Sequence, residues 1–296
     1  MTAAHRVVGA EAQEQGLWLF NDVVDTTFDS DCVPQPTCNI LVRIRRQDHP
    51  GAPPRWEEFS VVARSHMNVI ACLQQIAANP VTAQGVRTSP PAWDCGCLEE
   101  RCGGCTMLIS GQIRQACSAL VERIASPGEP ISIEPLSKFP VVRDLVVDRS
   151  RIFNDLKRIK AWVPVSTCEE GPGPLMSPQL QQRLYKLSRC TTCGACLEAC
   201  PQYKLDNTFV GAAVLSQAAL FNQHPVGAQL RTQRLDVLLS KGGIADCDTK
   251  GNCGIVCPTG VPHATAIDYI ARDATRYGLE RLKPPGRKKP LTTCRG

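Results

Sequence analysis

The stretch CTTCGACLEACP, residues 190–201, places Cys190, Cys193, Cys196 and Cys200 at C-x2-C-x2-C-x3-C and closes on Pro201. This is the spacing of proteins that carry two cuboidal iron-sulfur clusters, in which the fourth cysteine of one run ligates the cluster of the other. A second run must therefore lie elsewhere in the chain. It does: CDTKGNCGIVCP, residues 247–258, repeats the spacing with Cys247, Cys253 and Cys257, but Lys250 stands where the second cysteine belongs.

If each run lends its last cysteine to the other, the ligands are fixed by counting. Cys190, Cys193, Cys196 and Cys257 supply four thiolates for a 4Fe-4S cluster. Cys200, Cys247 and Cys253 supply three, since a charged Lys250 is no iron ligand at neutral pH. A cube lacking one corner, 3Fe-4S, is the natural occupant. Either C-x2-C taken alone reads equally as zinc or a redox dithiol; two interlocking runs argue for iron and sulfide.

Upstream, WDCGCLEERCGGCTMLISGQIRQACS places Cys97, Cys102 and Cys105 at C-x4-C-x2-C, with Cys117 as a distant fourth thiol. That is the plant-type 2Fe-2S spacing. Gly96, Gly103 and Gly104 let a tight loop turn its N–H groups toward sulfur. Taking Cys95 as first ligand would leave six intervening residues, so it is read as a bystander. A four-cysteine zinc site is the competing reading, although it ordinarily uses two short C-x2-C knuckles. Of the 17 cysteines, Cys32, Cys38, Cys72, Cys95, Cys168 and Cys294 stay unassigned.

Composition agrees with a metalloprotein working in a reducing compartment. The N-terminal MTAAHRVVGAEAQEQG lacks the apolar core of an export signal, and clustered thiols without export point to metal rather than disulfides. No window approaches the ~18–20 apolar residues of a membrane span. The net charge of +5 is small, and its densest stretch, Arg281 to Lys289, reads as a solvated tail; nucleic acid is not an expected partner. There is no GxGxxG fingerprint and no nucleophile triad, so substrate chemistry belongs to a partner chain.

Length suits two domains, with a boundary near residue 145. Alternation over 39–46 and 59–63 around the turn HPGAPP predicts a hairpin, followed by a helix over 68–79 and further strands at 106–109 and 131–136. Beyond residue 148 the apolar spacing becomes helical, with helices expected at 152–159, 177–188, 209–223, 231–241 and 263–276. The fold class is α+β.

A 2Fe-2S module followed by a helical module with 4Fe-4S and 3Fe-4S sites, in this order, resembles the iron-sulfur subunits of succinate dehydrogenase and fumarate reductase over residues 39–283. The likeness extends to CLEERCGGCTMLISGQIRQACSALV, RCTTCGACLEACPQY, FVGAAVLSQAALFNQHP and CPTGVP, with the flavour of the bacterial menaquinone-linked branch. It implies a β-grasp ferredoxin-like domain over 36–145, an α-helical ferredoxin domain over 146–283, an N-terminal extension over 1–35 and a basic tail over 284–296. It further implies partners: a flavoprotein whose FAD exchanges electrons with succinate or fumarate, and a membrane anchor with quinone and often haem b. Electrons would pass from FAD through 2Fe-2S, 4Fe-4S and 3Fe-4S to quinone, with the chain peripheral on the cytoplasmic face of the cell membrane. Pro201, Tyr203, Asp248 and Lys250 become candidates for the quinone pocket, and Leu205 stands where ubiquinone-using relatives carry tryptophan. The competing class is a free-standing soluble carrier, and a zinc-stabilised interaction protein is a third.

Overall fold

Strand β1 (Cys38–Arg46) opens the fold because its alternation buries Val42, Ile44 and Arg46 on one face. The HPGAPP turn returns it to β2 (Arg55–Ala63), paired antiparallel with Val42 opposite Phe59. The computed structural model describes residues 38–126, 128–164 and 174–282. The 1–35 extension, Cys32, Cys168, Cys294 and the 284–296 tail lie outside them.

Helix α1 (Val69–Ala78) lays Val69, Ile70, Cys72, Leu73 and Ile76 on the sheet. Asn68 caps it, accepting from Ala71 N–H at 2.9 Å, and the same side chain donates to the Cys117 carbonyl at 2.9 Å. The helix start is thus tied to a cysteine of the first constellation. Cys72 is buried in this core, and burial pushes its thiol up to about 12, as befits an inert packing residue.

Strand β3 (Thr106–Ile109) turns through Ser110-Gly111 into β4 (Gln112–Gln115), which the sequence reading passed over because only Ile113 is apolar there. A short helix α2 (Val121–Ile124) precedes β5 (Ile131–Glu134). The five strands form one sheet in the order β2-β1-β5-β3-β4, with β1 and β5 parallel, which is the β-grasp arrangement.

A two-stranded hairpin, β6 (Val141–Arg143) and β7 (Val146–Val147), leads into the helices. These are α3 (Ser150–Arg158), α4 (Pro178–Ser188), α5 (Ala195–Glu198), α6 (Gly211–Gln223), α7 (Arg231–Leu238), α8 (Asn252–Ile255) and α9 (His263–Leu282). Helix α6 is apolar on nearly every side and is buried accordingly, packed by α3, α4, α5 and α9. Helix α9 runs six residues past its expected end at 276, and no described helix is long and apolar enough to cross a membrane.

The sheet and the helices are joined through buried ion pairs. Asp144 and Arg46 are both fully buried, and Asp144 accepts from Arg46 Nε at 2.9 Å, Gln47 N–H at 3.0 Å and Ala92 N–H at 2.9 Å. Glu198 of α5 accepts from Ser137 and Lys138 N–H, each at 3.1 Å, anchoring the segment after β5 to the second cysteine constellation.

Candidate metal centres

The loop before β3 wraps around one sulfur. Backbone N–H groups of Glu99, Arg101 and Cys102 donate to Cys97 Sγ at 3.3, 3.2 and 3.2 Å. The turn needs Leu98 and Glu100 at positive φ, 59° and 58°. Those three donors lower the Cys97 thiol to about 7. The β3–β4 hairpin then brings Cys105 beside Cys117, with Ala116 N–H donating to the Cys105 carbonyl at 3.0 Å. Burial, with Cys117 adjacent, pushes the Cys105 thiol up to about 12, so without metal it stays protonated. Cys95 is exposed, two residues outside the amide turn. A sulfur held by three amides fits a negatively charged cluster, whose sulfurs need such donors.

The two later runs share one backbone. Thr192 and Thr249 have φ of 55° and 53°, and Gly194 and Gly251 have φ of 90° and 81°, each glycine directly preceding a one-turn helix, α5 or α8. The internal repeat read in the spacing is therefore also a repeat in conformation, with Lys250 seated where Cys193 sits in the first copy.

The terminal cysteines cross over between the runs. Cys190, Cys193, Cys196 and Cys257 line one cavity together with Thr259 and His263. Cys200, Cys247 and Cys253 line another of about 220 Å³, together with Pro201, Asp248 and Lys250. Burial raises Cys190 to about 11 and raises Cys196, Cys247 and Cys253 as well. Cys257 differs: burial raises it, but hydrogen bonds from His263, Thr259 and Val261 N–H outweigh burial and bring it to about 6. His263 is buried and held through Nδ1 by Ser216 Oγ at 2.7 Å. Its position as the first residue of a helix gave no sign of this; only its place six residues after Cys257 could have raised the question.

Of the four quinone-pocket candidates, Pro201, Asp248 and Lys250 border the second cavity, and Gln202 Nε2 donates to Asp248 at 2.7 Å. Tyr203 does not. A turn closed by Tyr203 N–H on the Cys200 carbonyl folds it inward, where it is 1% exposed, lies 6.0 Å from the Phe139 ring and carries the Arg151 guanidinium 4.2 Å above its own. Burial pushes its hydroxyl up to about 12. Leu205, two residues on, is exposed.

Comparison with known proteins agrees with this arrangement. A family model described as a 2Fe-2S iron-sulfur cluster binding domain matches residues 41–154, and one described as a 4Fe-4S dicluster domain matches residues 186–261. The chain is 47% identical to the succinate dehydrogenase iron-sulfur subunit of Bacillus subtilis, covering 78% of this chain and 90% of that one. It is 31% identical to the fumarate reductase iron-sulfur subunit of Haemophilus influenzae, over 64% and 78% of the two chains. Its fold matches a chain of the Mycobacterium smegmatis Sdh1 complex in the apo form, with a TM-score of 0.68 at 21% identity, covering 84% and 99%. The chain belongs to the family of iron-sulfur subunits of succinate dehydrogenase and fumarate reductase.

Proposed function

We propose that this chain, an electron-transfer subunit of that family, holds three clusters: 2Fe-2S on Cys97, Cys102, Cys105 and Cys117, 4Fe-4S on Cys190, Cys193, Cys196 and Cys257, and 3Fe-4S on Cys200, Cys247 and Cys253. One observation carries the reading. The last cysteine of each run lines the cavity of the other, leaving four thiols in one cavity and three beside Lys250 in the second. Iron-sulfur clusters held there supply one-electron redox chemistry. The protein's part is to fix them in order, with residues 36–145 carrying the first and 146–283 the other two. The amides on Cys97 Sγ and the hydrogen bonds on Cys257 Sγ steady those thiolates and tune their potentials.

The chain relays electrons between FAD on a flavoprotein partner, where succinate is oxidised, and menaquinone at a membrane anchor with haem b. It sits as a peripheral subunit on the cytoplasmic face of the membrane. Pro201, Asp248 and Lys250, bordering the three-thiol cavity, face the quinone side; the buried Tyr203 supports their loop from beneath. Low-temperature EPR of the purified complex tests the assignment. A 3Fe-4S signal as isolated and a 2Fe-2S signal on reduction are expected, whereas zinc without acid-labile sulfide ends the reading. A second reading, quinol:fumarate reductase, has the Haemophilus influenzae likeness in its favour. Comparing succinate oxidation with fumarate reduction using menaquinone analogues separates the two.

A further inference from the structure

Arg149, the residue before α3, lies where the first two cysteine constellations meet. Its guanidinium donates to the Gly104 carbonyl at 3.1 Å and the Thr106 carbonyl at 3.5 Å, both in the loop that carries Cys105. Only 15% of the side chain is exposed, and its one carboxylate neighbour at contact range, Asp94, is half-exposed and 4.0 Å away. Nε is buried without a protein partner, as is Thr191 Oγ1 across the junction. Cys102 and Cys105 of the first constellation and Cys193 of the second all lie within electrostatic range of the charge.

We infer that Arg149 is the positioning residue of this junction: it clamps the Gly104–Thr106 segment and sets a fixed positive charge between the first and second clusters, raising the reduction potential of both. The inference rests on the ligand assignment proposed above. Each electron accepted adds one negative charge to the cluster that receives it, so a nearby buried cation favours the reduced form of either. Burial leaves that charge little screened by salt. The planar fork suits the double carbonyl clamp, which an ammonium would meet at a single point. The three-thiol cavity contains none of the ligands near Arg149.

The test is EPR-monitored redox titration of the purified complex carrying Arg149→Gln or Arg149→Lys, with iron, sulfide and melting temperature measured alongside. Expected is a shift of the 2Fe-2S and 4Fe-4S potentials to more negative values, larger for Gln than for Lys, with the 3Fe-4S potential unmoved. Either variant that assembles decides the question. Unmoved potentials at full cluster content overturn the inference, and a lowered melting temperature alone would then assign Arg149 to packing. An equal shift in all three clusters overturns it too, as general loosening. Loss of the ligand assignment looks different, for the unaltered protein would then lack the 2Fe-2S or 4Fe-4S signal.

Discussion

Gly103, in the first cysteine loop, lies directly against Cys193, in the second: a methyl group placed on Gly103 would come within 2.6 Å of Cys193 Cβ and 2.8 Å of Thr191 Oγ1. The two loops touch through backbone and Cβ atoms with no side chain between them. An electron crossing from one constellation to the other meets covalent bonds and one van der Waals contact.

Gly103→Ala should therefore damage the junction in two ways. At φ +72° an alanine is strained by about 1–2 kcal/mol, and overpacking against Cys193 adds about 1–3 kcal/mol. Gly111→Ala is the control, since φ is +73° there and nothing lies within 4 Å of the new methyl. Denaturant unfolding of both variants separates strain from clash. The Gly103 variant should lose clearly more stability and show less 2Fe-2S absorbance; equal losses would mean the contact is unimportant.

The buried Arg46–Asp144 pair should matter more than any surface ion pair. Asp144→Ala leaves Arg46 fully buried and facing only Glu57 at 2.7 Å, while stranding the N–H groups of Gln47 and Ala92. Breaking a buried pair costs about 3–5 kcal/mol, and the lower end applies because Glu57 remains. Asp236→Ala, which removes the exposed partner of Arg281, should cost less than about 1 kcal/mol. Calorimetric melting of the two variants checks the contrast.

The sequence made some of this readable and hid the rest for physical reasons. Cysteine spacing is read directly because ligand geometry fixes it, and the α1 stripe with its Asn68 cap shows the periodicity that burial of one face imposes. Helices α5 and α8, at four residues each, are too short to carry a period. Hairpin β6–β7 has three and two residues, too few to alternate. Arg46 and Arg234 are fully buried, yet arginines are ordinarily solvent-facing, so nothing in their identity announced it. Their partners, Asp144 98 residues from Arg46 and the carbonyls of Lys160 and Trp162 more than 70 residues from Arg234, exist only in the fold. Tyr203 was displaced from the quinone-pocket candidates' surface by the same kind of long-range fact, because Phe139 and Arg151 hold its ring in the core.

The amide turn around Cys97 predicts unusual reactivity once iron is chelated away. The thiol is lowered to about 7, so the thiolate is present above that pH and is lost as pH falls through it. Cys105, pushed up to about 12, stays protonated across the same range. Iodoacetamide labelling from pH 6 to 9, read by mass spectrometry, should show Cys97 modified with a midpoint near 7 and Cys105 spared. A Cys97 midpoint near the ordinary thiol value of 9 would remove the amide explanation.

Lys250→Cys should complete the fourth corner of the three-thiol site. The backbone is already prepared for it, because residue 250 lies between φ values of 53° and 81°, as Cys193 lies between 55° and 90° in the first run. A cysteine introduced there arrives in the conformation of its counterpart, on the wall of the same cavity as Cys200, Cys247 and Cys253. Four thiolates favour a full cube, so the variant should gain one iron per chain and lose the oxidised 3Fe-4S EPR signal, with the 2Fe-2S signal unchanged. Lys250→Ser removes the ammonium without adding a thiolate and should keep the 3Fe-4S signal. If the cysteine variant retains that signal at unaltered iron content, the side chain at 250 does not face the missing corner, and the ligand count of three needs another cause.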